Sequence, residues 1–174
     1  MSDAPSIRLV PLAKDHVPAL AQALEDGEIL RNTRVPEPLP PGFAQTWLDR
    51  YEEGRRTGER EAFAVESEDG EFLGLALSPK IEREARTAEL GYIVVPEARG
   101  RGVATEALRQ LTDWGFDELA MIRLELVIAV HNEPSKAVAR RCGYEREGVL
   151  RSVHLKQGRR EDVEIWSRIA GDSV

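Results

Sequence analysis

Residues 122–130, IRLELVIAV, constrain the fold more than any other stretch of this chain. Ile122, Leu124, Leu126, Ile128 and Val130 alternate as one face of a strand, and Val127 and Ala129 make its second half apolar on both faces. Such a strand has to be covered from both sides, which places it centrally in a sheet flanked by other elements. The preceding segment supplies one cover. Ala104, Ala107, Leu108, Leu111, Trp114 and Leu119 recur at helical spacing, while Glu106, Arg109, Gln110 and Asp113 take the opposite side.

The remaining chain reads as more of the same. Ile7–Leu12 is a first strand, and Val17, Leu20, Ala21 and Leu24 share one helix face. The proline-rich stretch Val35–Gly42 is a loop, and a helix over Phe43–Arg56 carries Phe43, Trp47, Leu48 and Tyr51 on one stripe. Glu61–Ser67 and Phe72–Leu77 form a hairpin around Glu68, Asp69 and Gly70, and Ala85–Val95 follows as a strand. A short helix fits Pro134–Arg141, ended at Gly143. Strands over Arg146–Leu155 and Asp162–Ile169 are joined by the turn Lys156–Arg160. The expected class is therefore α/β, with a mixed sheet flanked by helices in one domain covering residues 1–174.

Bulk properties exclude several function classes. A composition of 41% hydrophobic and 32% charged residues is that of an ordinary globular domain. The single cysteine, Cys142, allows neither an internal disulfide nor a thiolate metal cluster, so no metal is expected. A net charge of −7 argues against nonspecific nucleic-acid binding; it serves solubility and is compatible with a cationic substrate. The start MSDAPSIRLV lacks the features of a secretory signal and no long apolar run occurs, so neither a membrane nor a partner within one is expected, and the cytoplasm is the expected compartment.

The segment VVPEARGRGVATEAL, Val94–Leu108, carries the clearest chemistry. A strand ending at Pro96, a turn with Gly100 and Gly102, and a helix start leave several backbone N–H groups without intrahelical partners. The helix dipole adds roughly half a positive charge there. The glycines permit close approach to the main chain, Arg99 and Arg101 deepen the positive potential, and Thr105 offers a hydroxyl. A diphosphate is the natural guest. A nucleoside-triphosphate P-loop would need Lys-Ser/Thr after the last glycine, where Val103 and Ala104 stand. A dinucleotide fingerprint would need a small residue at Thr105 and an acidic end to the next strand, which instead closes at Val130 and His131. A plain solvated turn remains the alternative.

The same stretch resembles the acetyl-coenzyme A signature of the GNAT N-acetyltransferases, Q/R-x-x-G-x-G/A, through Arg99, Gly102 and Ala104. HNEPSKAVARRCGYEREGVLR, His131–Arg151, resembles the family's asparagine, short helix and Gly-aromatic segment, and with AELGYIVVPEARGRGVATEAL the set is similar to the RimJ/RimL-like branch. The resemblance implies a mostly antiparallel sheet of about seven strands, splayed in the middle, with about four helices. It implies acetyl-CoA as acetyl donor and direct transfer to a primary amine: a protein N-terminus first, a polyamine or aminoglycoside behind. The branch often pairs, so a homodimer is implied too.

By the same resemblance, main-chain amides at Ile93 and Val94 hydrogen-bond the pantetheine and polarise the thioester carbonyl. Those of Arg99, Gly100, Arg101, Gly102, Val103, Ala104 and Thr105 hold the diphosphate, and Asn132 bonds the pantetheine arm. Glu89 is the candidate proton acceptor, with a strand glutamate paired to an arginine as the alternative. Many family members protonate the thiolate with a tyrosine at a position matching Ala139; here Ser135 takes that role by resemblance to the branch, against a plain helix cap. Cys142 is expected in the core rather than in an acyl-cysteine, Tyr144 is expected to pack, and Trp47 and Tyr51 are expected to be core. The missing tyrosine keeps open a domain that binds acyl-CoA without turnover.

Overall fold

A computed structural model describes residues 5–172. One seven-stranded sheet runs through it in the order β1-β2-β3-β4-β5-β7-β6. The strands are β1 Ile7–Pro11, β2 Glu61–Ser67, β3 Phe72–Glu82, β4 Thr87–Val94, β5 Arg123–Ala129, β6 Glu145–Lys156 and β7 Arg159–Ile169. Among the described residues β4 and β5 are the one parallel pair, and every other pair is antiparallel. The helices are α1 Val17–Ala23, α2 Gly27–Asn32, α3 Phe43–Thr57, α4 Val103–Asp113 and α5 Glu133–Arg141. A parallel pair needs a crossover, and α4 supplies it between β4 and β5.

The sheet buries both faces. On one face Val103, Ala107, Leu108 and Leu111 of α4 and Val138 and Ala139 of α5 pack on Leu90, Leu124, Leu126 and Ile128. On the other, Leu20, Leu48 and Tyr51 from α1 and α3 cover Ala62, Ala64, Leu75 and Ile93. The expected central position of β5 is met: Leu124 is fully buried and Leu126 and Ile128 nearly so. Tyr144 packs as expected, with its hydroxyl hydrogen-bonded to Thr112 at 2.8 Å.

The sheet parts in the middle. β4 pairs β5 only from Thr87–Arg123 to Leu90–Leu126. Gly91–Val94 then stay with β3, while Val127, Ile128 and Ala129 stay with β7. Two local features hold β4 to β3. The register shifts between Leu77 and Lys80, a bulge that increases strand twist. At Gly74 a Cβ would lie 2.0 Å from the Ile93 carbonyl oxygen, so only glycine permits that approach.

Three elements differ from the sequence reading. The six-residue α2 was not foreseen; the Asp26 carboxylate caps it by accepting from Ile29 N–H at 2.9 Å. β3 runs on past Leu77 to Glu82. The β6–β7 connection shortens to Gln157 and Gly158, both at positive φ, so the hairpin is tighter and its strands longer than the five-residue turn expected. Replacing Leu124 with alanine is predicted to cost about 2–5 kcal/mol of unfolding free energy, because the site is walled on both sides. Denaturant titration of the variant measures it; a loss below about 1 kcal/mol would contradict the central burial of β5.

Candidate active site

At the start of α4 the chain leaves β4 through the turn Pro96–Ala98, and Gly100 and Gly102 both take positive φ, at 71° and 82°. Gly102 is the N-cap and has no side chain to satisfy the first-turn amides. Among the described residues no protein acceptor is recorded for the N–H groups of Gly100, Arg101, Gly102, Val103, Ala104 or Thr105. They are left for an anion. Arg99 corrects the sequence reading: its N–H donates to the Pro96 carbonyl at 3.2 Å and is spent.

The Arg99 side chain also serves another purpose than phosphate binding. Its Nε donates to the Val94 carbonyl at 3.2 Å, Nη1 to Glu28 at 3.0 Å and Nη2 to Asp26 at 2.5 Å. These bonds fasten the turn before α4 to the first turn of α2. The guanidinium holds the Asp26 carboxyl below its ordinary range. Arg101 stays exposed beside the turn and makes no ion pair among the described residues.

The split in the sheet supplies the second part of the site. Val95 N–H donates to the Leu73 carbonyl at 3.0 Å. Alternation along the strand turns the Ile93 amide the same way, toward β3, and leaves the Tyr92 and Val94 amides facing the gap. Ile93 is therefore a correction as well: it contributes a 5% exposed side chain to the core, while Val94 keeps the expected orientation.

Tyr92 is a residue that sequence reasoning missed. Its hydroxyl lies 2.9 Å from Ser135 Oγ, so a hydrogen bond from β4 to α5 spans the two sides of the parting. Burial pushes the Tyr92 phenol up to about 12, which keeps its proton on at neutral pH. Ser135 is not the helix cap. Asn132 is: its Oδ1 accepts from Ser135 N–H at 3.1 Å, leaving its amide NH2 group for a ligand. Ala139 is fully buried in the core. Cys142 is 2% exposed, burial raises its thiol, and its S–H donates to the Thr105 carbonyl at 3.4 Å. A buried, protonated thiol is no acyl carrier, in agreement with the sequence reading.

On the opposite face of the sheet Glu89 stands one residue before the last β4–β5 pair. Its Oε1 lies 2.8 Å from Arg34 Nη1, which supplies the arginine partner weighed for it. Arg34 also lines a cleft of about 260 Å³ whose floor is Val127, Ala129 and Val163 and whose wall includes His154. Val127 and Ala129 belong to the part of β5 just past the parting, and Val163 pairs with Ala129 from β7. A second, more open cleft of about 460 Å³ lies between α2 and the start of α5, lined by Glu28, Arg31, His131 and Asn132. His131 Nε2 and Asn32 Oδ1 are 3.1 Å apart at its edge. Lys156 donates to the Thr33 carbonyl at 3.3 Å and to that of Val35, strapping the β6–β7 hairpin to the loop after α2. Trp47 and Tyr51 stack at 6.0 Å, and Tyr51 is core as expected. Among the described residues no group of three or more metal-ligating side chains occurs, and no helix is long and apolar enough to cross a membrane.

The Acetyltransferase (GNAT) domain family matches residues 6–145. This chain belongs to the GNAT family. YdaF of Bacillus subtilis (strain 168) is 34% identical over 99 residues, 57% of this chain and 54% of its own length. The spermidine N(1)-acetyltransferase of Escherichia coli (strain K12) is 31% identical over 150 residues, 86% of this chain and 78% of its own. Among solved structures, RimL, a ribosomal L7/L12 alpha-N-protein acetyltransferase in complex with coenzyme A, superposes with a TM-score of 0.87 over 94% of each chain at 22% identity. That likeness establishes the fold.

In this GNAT domain the free amides of Gly100–Thr105 suit a diphosphate, and the gap beside Val94 suits the extended arm behind it. Gly102→Glu is predicted to weaken coenzyme A binding by about 100-fold or more, since it brings both a Cβ at positive φ and a negative charge to the amide cluster. Calorimetric titration with coenzyme A measures the loss, with circular dichroism as the control for folding. Unchanged affinity would contradict the placement of the diphosphate.

Proposed function

We propose that this GNAT domain transfers the acetyl group of acetyl-CoA directly to the α-amine of a protein N-terminus, as a RimJ/RimL-like enzyme. The single observation that carries the transfer is the parting of β4 and β5. It leaves the Val94 amide free to hydrogen-bond the thioester arm, with the Tyr92–Ser135 hydroxyl pair on one face and the Arg34–His154 cleft on the other. The donor and the acceptor thus approach the gap from different sides, which suits attack within a ternary complex. Amides aimed at a carbonyl oxygen stabilise the charge that develops there.

Ser135 is placed to give its proton to the departing thiolate, with Tyr92 hydrogen-bonded behind it. That second hydroxyl fills the place of the tyrosine missing from α5, so turnover is favoured over a domain that only binds acyl-CoA. Glu89, paired with Arg34 at the closed end of the gap, is not free to take a proton and instead fixes the guanidinium that lines the acceptor cleft.

Charge on the acceptor side favours a peptide over a polyamine. A polyamine needs several carboxylates that are not already neutralised. Here Asp26 and Glu28 are taken by Arg99, Glu89 by Arg34, and Glu37 lies 3.9 Å from Lys156. Apart from Arg34 and His154, the cleft lining is apolar and amide, with no carboxylate. A single amine on an uncharged peptide backbone matches that lining; the spermidine enzyme of Escherichia coli and the α-N-protein acetyltransferase RimL mark the two acceptor classes to compare.

A thiol-release assay with acetyl-CoA against N-terminal peptides, polyamines and aminoglycosides tests the reading. Release with peptides alone is expected; release with polyamines alone would overturn the acceptor class, and tight binding without release for any amine would overturn turnover. Ser135→Ala is predicted to lower kcat by about 100-fold while acetyl-CoA affinity stays within about twofold. Tyr92→Phe is predicted to lower kcat less, since the serine proton remains. Unchanged kcat in Ser135→Ala would remove Ser135 from the reaction.

A further inference from the structure

The geometry points to His154 as the group that takes the proton from the acceptor ammonium, directly or through one water. This rests on the transferase reading above. His154 lies on β6, half-buried, and lines the cleft floored by Val127 and Ala129, the stretch of β5 that has already left β4. An amine lodged in that cleft is therefore beside the gap where the thioester arm passes. Among the cleft-lining residues the titratable side chains are Arg34 and His154, and an arginine does not accept protons. His154 is the one that can.

Its Nε2 is shielded from solvent and has no hydrogen-bond partner. A buried polar nitrogen left bare is uncommon unless something else comes to satisfy it. Glu161 pairs with it in register across the hairpin; its Oε2 makes no hydrogen bond and lies 3.9 Å from His131 Nδ1. Other bases near the site are engaged. His131 Nε2 meets Asn32, His16 pairs with Glu66 at 3.1 Å at the distant β1–β2 edge of the sheet, and Glu89 holds Arg34.

Burial, with two nearby cations, keeps the imidazole neutral. Burial is the largest influence and pushes His154 below the ordinary histidine range; Lys156 on its own strand and Arg34 from the loop after α2 push the same way. Glu161 on β7 and the Thr33 carbonyl oppose them without reversing the direction. A neutral imidazole at pH 7 has a lone pair to offer. As pH falls through the lowered value the ring protonates and the lone pair is lost.

The protons balance. An ammonium loses two protons on becoming an amide nitrogen. The first passes to His154 and on to solvent, freeing the lone pair that forms the N–C bond to the acetyl carbon. As the C–S bond breaks, the sulfur receives the Ser135 proton, and the second nitrogen proton restores Ser135. The products are the amide, coenzyme A thiol and one released proton.

The test uses the full chain, acetyl-CoA and a peptide that the wild type acetylates. His154→Gln is expected to lower kcat by about 100-fold, to leave peptide KM and coenzyme A affinity within about twofold, and to remove the acid limb of the kcat/KM profile below about pH 6.5. Added imidazole should restore part of the rate to His154→Ala. A merely structural role would move the melting temperature and KM instead, and would not be rescued. In the unaltered protein the His154 ring, followed by NMR, should titrate at the midpoint of that acid limb. Wild-type kcat and acid limb in His154→Gln, or an NMR midpoint more than about one pH unit from the limb, would overturn the assignment while leaving the transferase intact. Failure of the wild type to acetylate any amine would overturn both.

Discussion

Beyond Leu90 and Leu126 two parallel strands that began as partners turn to other neighbours, and most of the chemistry follows from that separation. Backbone groups at a sheet centre are normally consumed by the ladder. Here the bulge in β3 and the close contact at Gly74 hold β4 on one side, while seven consecutive pairs hold β5 to β7 on the other. The gap between them leaves the Tyr92 and Val94 amides without strand partners in the interior of the fold. An extended ligand can replace the missing strand at little cost in reorganisation, because both walls are already fixed by packing.

The gap is tied to its surroundings by a small number of polar contacts. Arg99 connects the turn before α4 to Asp26 and Glu28, and Asp26 is also the cap of α2. His131 at the end of β5 meets Asn32 at the end of the same helix. Lys156 carries the connection on to the β6–β7 hairpin. The turn before α4, α2 and the hairpin that bears His154 are therefore linked as one chain of contacts around the cleft beside Arg34.

Much of this was legible in the sequence. The apolar second half of β5 required a central strand, and the RGRG turn before an amphipathic helix required a helix start with unspent amides; both are local patterns with a physical cause. What escaped depends on contacts between distant segments. The six residues of α2 are too few for a helical period to show, and the helix exists because Asp26 caps it and Arg99 anchors it. Which amides face the gap depends on strand parity, set by the Val95–Leu73 bond, and so Ile93 fell on the wrong side of the count. Tyr92 reads as an ordinary strand aromatic until α5 brings Ser135 to its hydroxyl. His154 sits in a stretch with no motif, and its cleft is formed by the loop after α2, whose path the proline-rich sequence does not encode in any period.

Amide hydrogen exchange in the presence and absence of coenzyme A, read residue by residue by NMR, tests the central claim most directly. On binding, the N–H groups of Gly100–Thr105 and of Val94 should slow and shift, while those of Arg99 and Ile93, already bonded within the protein, should change little. Coenzyme A bound at saturation with the Gly100–Thr105 amides unaltered would contradict the account.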